Sequence, residues 1–140
     1  MRITVIDGQG GSIGKQVVKL LLEEMPDAEI TAVGTNSVAT SNMIKAGCNN
    51  AATGENAVLV ACRKSDIIVG PIGIVIADAL AGEISPAMAK AIAQSDAKRI
   101  LIPFNNCDSF VIGVQEVSMS KLISQAIEEI KRLTNDTKRL

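Results

Sequence analysis

The 140 residues suffice for one domain with its own core and not comfortably for two. Fourteen basic against fifteen acidic side chains leave a net charge of −1 with no basic stripe, and two phenylalanines without Trp or Tyr offer few ring faces for stacking bases, which argues against nucleic-acid binding. The absence of histidine removes Ser-His-Asp and Cys-His chemistry, and three unclustered cysteines do not make a zinc site.

Arg2 to Ile6 reads as a buried strand. It runs into Asp7-Gly8-Gln9-Gly10-Gly11-Ser12-Ile13-Gly14, and a helix over Ile13 to Glu24 follows with Ile13, Val17, Leu20 and Leu21 on one side. Pro26-Asp27 stops that helix. Glu29 to Gly34 is the second strand. Thr35-Asn36-Ser37 then supplies turn and capping chemistry for a helix through Lys45-Ala46, which Gly47 ends. A short third strand is expected around Asn49 to Ala52, with Thr53 capping a helix from Gly54 to Lys64. Asp66 to Gly70 is the fourth strand. Pro71-Ile72-Gly73 leads into a weakly polar helix from Ile74 to about Ala81. Ser85-Pro86 opens a helix to Gln94, as an N-cap followed by proline at the first helical position. Lys98 to Ile102 is the fifth strand. Phe110 to Val114 reads as a sixth, antiparallel to the fifth, because the seven residues between them are too few for a helical crossover. The last helix starts at Ser118, with Leu122, Ile123, Ala126, Ile127 and Ile130 on its apolar face. The tail after Thr134 is expected to fray.

Alternating short apolar strands and helices predict an α/β fold. It is a three-layer, Rossmann-like arrangement with a mainly parallel sheet in the order 3-2-1-4-5 and an antiparallel edge strand 6, all in one domain over residues 1–140. The short first strand is not a signal-peptide core, and the apolar stretch Ile67 to Ala81 is too broken to span a bilayer. A cytoplasmic location is expected.

The glycine-rich stretch carries the functional reading. Glycines let the chain turn and approach a ligand, and a helix start offers unpaired N–H groups and the positive end of the macrodipole. A phosphate-bearing ligand, of nucleotide type, is expected at Gly8, Gln9, Gly10, Gly11, Ser12, Ile13 and Gly14. Glycines at 8, 10, 11 and 14 do not reproduce G-x-G-x-x-G, since one is always displaced. Ligands of doubly wound sheets lie beyond the carboxyl ends of the strands, which adds Thr35, Asn36, Gly70, Pro71 and Gly73 to the candidate binding residues. An acid at the end of the second strand, the usual partner of a ribose hydroxyl, is missing. Asp27 and Glu29 lie at the wrong end, and Gly34-Thr35-Asn36 is uncharged. Asp7 is expected to cap Gln9 or Gly10 in an Asx-type turn, ahead of any metal role.

Asp7, Glu55 and Cys107 are the groups with chemistry to offer if the protein is an enzyme on a small phosphorylated substrate, its site completed by a neighbouring subunit. No base partner for Cys107 is visible, and Cys48 and Cys62 read as core residues. The alanines between Ala77 and Ala93 suit close helix packing or a homo-oligomer interface, so a ligand-free oligomeric protein is the third reading.

The blocks Ile6 to Gly14, Gly34-Thr35-Asn36, Lys45-Ala46-Gly47, Ala52 to Asn56, Gly70 to Gly73 and Ile102-Pro103 resemble a family of small bacterial proteins of unknown function. The resemblance covers nearly the whole chain. It implies a Rossmann-like fold and no established activity. More distantly, the first four strands and three helices resemble the N-terminal halves of NAD(P)-dependent oxidoreductases, which makes NAD(P) the candidate cofactor. Those enzymes usually carry their catalytic residues on a second domain, and the Tyr-Lys pair of the short-chain dehydrogenases is missing here.

Overall fold

The structure, a computed structural model, describes residues 1–104 and 109–138. The elements are β1 (Arg2–Asp7), α1 (Ser12–Glu24), β2 (Glu29–Gly34), α2 (Ser37–Lys45), β3 (Ala51–Thr53), α3 (Glu55–Lys64), β4 (Ile67–Pro71), α4 (Pro86–Gln94), β5 (Lys98–Ile102) and α5 (Met119–Lys138). The five strands form one parallel sheet in the order β3-β2-β1-β4-β5. The fold is therefore Rossmann-like α/β, as the alternation of elements requires.

Period-two alternation along the central strands feeds two cores. Ile3 and Val5 of β1, Ile30 and Ala32 of β2, and Ile67 and Val69 of β4 pack under Val17, Leu21, Met43, Ile123 and Ile127 from α1, α2 and α5. Ile6, Val33 and Ile68 face the other way, against Val58, Met88 and Ile92 from α3 and α4. Strands buried on both faces explain why they read as continuous apolar runs.

Four local expectations are corrected. Ile74 to Ala81 is not a helix. One 3-10 turn over Ile72–Val75 is followed by a looped segment in which Asp78, Leu80, Ala81 and Gly82 have φ of 67°, 56°, 56° and 89°. A right-handed helix excludes those values. The detour puts Ile74, Leu80 and Ile84 together in the second core, at 0%, 5% and 0% exposure, which a regular helix over these residues would not do. Phe110 to Val114 makes no strand. A turn at Ile112-Gly113, with Gly113 at φ 90°, interrupts it, and Phe110 and Ile112 stand 88% and 93% exposed. Thr53 does not cap α3. Its hydroxyl pairs with that of Thr40 at 2.7 Å, and the cap position falls to Gly54, which has no side chain to offer. The last helix does not fray at Thr134 but runs to Lys138, braced by the Thr134 hydroxyl on the Ile130 carbonyl at 2.8 Å and by the Arg132–Asp136 pair one turn apart.

Among the described residues no helix is long and apolar enough to cross a membrane.

Candidate functional site

The site is built where β1 ends. Its register with β2 and β4 brings Asp7, Gly34 and the Gly70-Pro71 step to the same edge of the sheet. Gly11, at φ 71°, makes the turn into α1. A Cβ there would lie 2.7 Å from the Ala39 Cα, so the position needs glycine for both its backbone conformation and the close approach of α2.

Asp7 lies beneath the loop at 4% exposure. It does not cap Gln9 or Gly10. Instead Gly8 N–H donates to its Oδ1 at 2.8 Å and Gly14 N–H to its Oδ2 at 2.7 Å. Gly14 is the third helical residue of α1, so a carboxylate on the preceding strand does the work that an N-cap side chain would do, Gly11 having none. Burial pushes the Asp7 carboxyl above its ordinary value, against the pull of its two backbone donors.

A second carboxylate, absent from the sequence reading, reaches the same place. Gln9 N–H, the Thr35 hydroxyl and the Asn36 amide all donate to Glu83 Oε1, at 2.9, 2.7 and 2.6 Å. Burial raises the Glu83 carboxyl, but the three donors together outweigh it and hold it below the ordinary glutamate range. A lowered value means that this tie is complete above that range and is lost as pH falls through the lowered value. Glu83 is held there by buried neighbours, Leu80 and Ile84, on the looped segment. The one sequence signal for it is that Asp78 and Glu83 are the only charged residues between Asp66 and Lys90.

The loop's amides therefore divide. Gly8 and Gln9 are taken by carboxylates, and Gly11 N–H bonds the Gly8 carbonyl at 2.9 Å. The N–H groups of Gly10, Ser12 and Ile13 have no hydrogen-bond partner among the described residues. They border a pocket of about 50 Å³, lined by Asp7 to Ile13 with Pro71, Leu80 and Phe104. One water needs roughly 10–15 Å³ on this measure, so the pocket holds a group of a few heavy atoms. Two larger hollows, of about 420 and 480 Å³, are lined by other residues, and a third, of about 760 Å³ along Pro103 and the segment from Phe110 to Leu122, shares only Phe104 with the loop pocket.

The remaining candidates are placed as follows. Asn36 caps α2 through Oδ1 on Ala39 N–H at 2.9 Å, and its amide also donates to the Gln9 carbonyl at 3.0 Å. Thr35 and Asn36 thus direct their side-chain donors to Glu83 and the loop. Pro71 lines the pocket; Gly70 backs onto the Ile6 carbonyl, and Gly73 is buried in the 3-10 turn. Glu55 is exposed on the first turn of α3, and Cys107 lies outside the described residues. Cys48 and Cys62 are buried, and burial pushes the Cys62 thiol up to about 11, which makes it a poor nucleophile. Among the described residues no three of His, Cys, Asp and Glu are grouped to hold a metal ion.

The profile of the family described as a domain of unknown function, DUF3842, matches residues 2–135. The chain belongs to this family. No curated protein matches the chain. Among solved structures, a dodecameric FMN-dependent Ubix-like decarboxylase from Escherichia coli O157:H7 is similar at 16% identity and a TM-score of 0.48, over 94% of this chain and 76% of that one.

Proposed function

We propose that this protein binds a phosphate-bearing small molecule of nucleotide type, with the phosphate on the free N–H groups of Gly10, Ser12 and Ile13. The observation that carries the reading is that these three donors stand unpaired at the start of α1, around a pocket of phosphate size. Backbone N–H groups at a helix start favour an anion by direct hydrogen bonds and by the helix dipole together. The pocket's small volume leaves the rest of the ligand outside it, toward Pro71, Thr35 and Asn36; the buried Gly70 and Gly73 shape this end of the sheet without reaching it. NAD(P) is one member of this ligand class. A role as a sensor or accessory subunit fits a site whose described residues offer free backbone donors, with the carboxylates of Asp7 and Glu83 engaged in holding the loop.

The test is thermal unfolding with NAD, NADP, ATP, FAD, FMN and coenzyme A in turn. A ligand at a hundred times its dissociation constant adds about 2.7 kcal/mol, which raises the melting temperature of a chain this long by roughly 8–10 °C. At least one of the six is expected to give such a shift. No shift with any of them removes the reading.

Self-association is the second reading, favoured by the exposed apolar run Phe110, Val111, Ile112 and Val114. The alanine-rich stretch divides, with Ala79 and Ala89 in the core and Ala81, Ala87 and Ala93 exposed. Light scattering is expected to show a homo-oligomer that Ile112→Asp weakens at least tenfold, on the order of the 1.5–3 kcal/mol that a fully buried isoleucine contributes. A monomer at every concentration sinks it.

A further inference from the structure

The acid expected at the end of β2 is missing from β2, yet a carboxylate stands beside that strand end. We infer that Glu83 is a specificity-determining residue which accepts hydrogen bonds from the adjacent hydroxyls of a ribose-type ligand and rejects a phosphate at the same place. The inference rests on the phosphate reading of the glycine loop and goes beyond it by naming what the neighbouring part of the ligand must carry.

Three observations converge. The first is position. Glu83 Oε1 is held by Thr35 and Asn36, the two residues that follow β2, and by Gln9 N–H in the loop. Its carboxylate therefore bridges the loop and the end of β2, where an acid in a doubly wound fold meets ribose hydroxyls. The second is the division of labour between its oxygens. All three donors fall on Oε1, and Oε2 has no hydrogen-bond partner among the described residues. A carboxylate oriented through one oxygen is a prepared acceptor at the other, and an ionised acceptor makes the stronger bond to a hydroxyl. The third is charge. The donors that orient Glu83 also favour its ionised form, and among the described residues no lysine or arginine pairs with it. A ligand phosphate beside Oε2 would meet an uncompensated negative charge, whereas one on Gly10, Ser12 and Ile13 meets three donors.

The geometry also explains why Thr35 and Asn36 are polar without being charged. They position the acid and do not replace it. The acid comes from a segment 47 and 48 residues further along the chain.

The experiment is calorimetric titration of two probe pairs, NAD with NADP and ATP with 2′,3′-dideoxy-ATP, into the wild type, Glu83→Gln and Gly10→Val. Glutamine keeps an oxygen for Gln9, Thr35 and Asn36 and replaces Oε2 by a donor, so melting within a few degrees of wild type is the check on folding. In the wild type the member of each binding pair with free 2′- and 3′-hydroxyls is expected to bind at least about tenfold more tightly than its partner. In Glu83→Gln the ratio is expected to fall to about threefold or less, with NADP tightening as the charge is removed. Equal binding within both pairs, a ratio unchanged in Glu83→Gln, or no binding of any of the four overturns the role of Glu83. Binding that survives in Gly10→Val overturns the phosphate reading instead.

Discussion

Asp7→Ala is expected to lower the free energy of unfolding by about 3 kcal/mol, read as a reduced midpoint in urea at unchanged slope. The carboxylate satisfies two buried amides, Gly8 N–H and Gly14 N–H, at 2.8 and 2.7 Å. Hydrogen bonds to a charged acceptor contribute roughly 1.5–3 kcal/mol each, and amides left unpaired in the interior cost a similar amount. The full sum is not expected, because burial itself penalises the ionised Asp7 and raises its pKa. Asp7→Asn is expected to lose nearly as much. Its single amide oxygen can accept one N–H, and its NH2 then confronts the other. The pH dependence follows from the direction of the shift. A raised folded-state value means that the folded chain holds the proton more tightly than the unfolded one. The part of Asp7's contribution that depends on its proton is therefore complete below the ordinary aspartate range and is lost as pH rises through the raised value. The gap between wild type and Asp7→Ala should be widest in acid and narrow across that window. A variant that melts with the wild type at every pH would show that this carboxylate does not hold the loop to α1.

Gly10→Val is expected to weaken binding of whichever of NAD and ATP the wild type holds by about a hundredfold, with the melting temperature of the free protein within about 2 °C. Gly10 is exposed, its φ lies outside the left-handed region, and a Cβ placed on it meets nothing within 4 Å. The fold therefore has no reason to object. The loss falls on the ligand: valine keeps the N–H, but its branched side chain beside the three free donors would crowd a phosphate bound there. Steric displacement that breaks one charge-assisted hydrogen bond to the phosphate and crowds the rest amounts to about 3 kcal/mol, which sets the expected factor. Gly11 would be a poor choice for the same experiment. Its positive φ and the Ala39 backbone at 2.7 Å would confuse unfolding with loss of binding. Undiminished affinity in Gly10→Val would move the site elsewhere.

Much of the architecture was legible because it is written in local terms. Ile3, Val5 and Ile6 alternate between two cores, Val17, Val18 and Leu21 repeat at helical spacing, and Ser85-Pro86 opens α4 as a cap and first-position proline do. The errors fall where local preference was overruled. The weakly polar run from Ile74 to Ala81 suggests a helix, but there Ile74, Leu80 and Ile84 reach one core through a looped chain with positive φ at Asp78, Leu80 and Ala81. Phe110 to Val114 has the composition of a strand, yet Gly113 turns the chain and no strand forms.

The candidate site divides along the same line. Sequence alone placed a strand, four glycines and a helix start in succession, and so determined that backbone amides would gather at the end of β1, because those residues are neighbours in the chain. Which of the amides remain open was decided only in three dimensions. Glu83 takes Gln9 N–H from 74 positions away, and Asp7 reaches over the turn to Gly14. Spacing along the chain carries no record of such pairings, because they depend on how the sheet's crossovers and the buried anchors Leu80 and Ile84 bring distant segments to one edge.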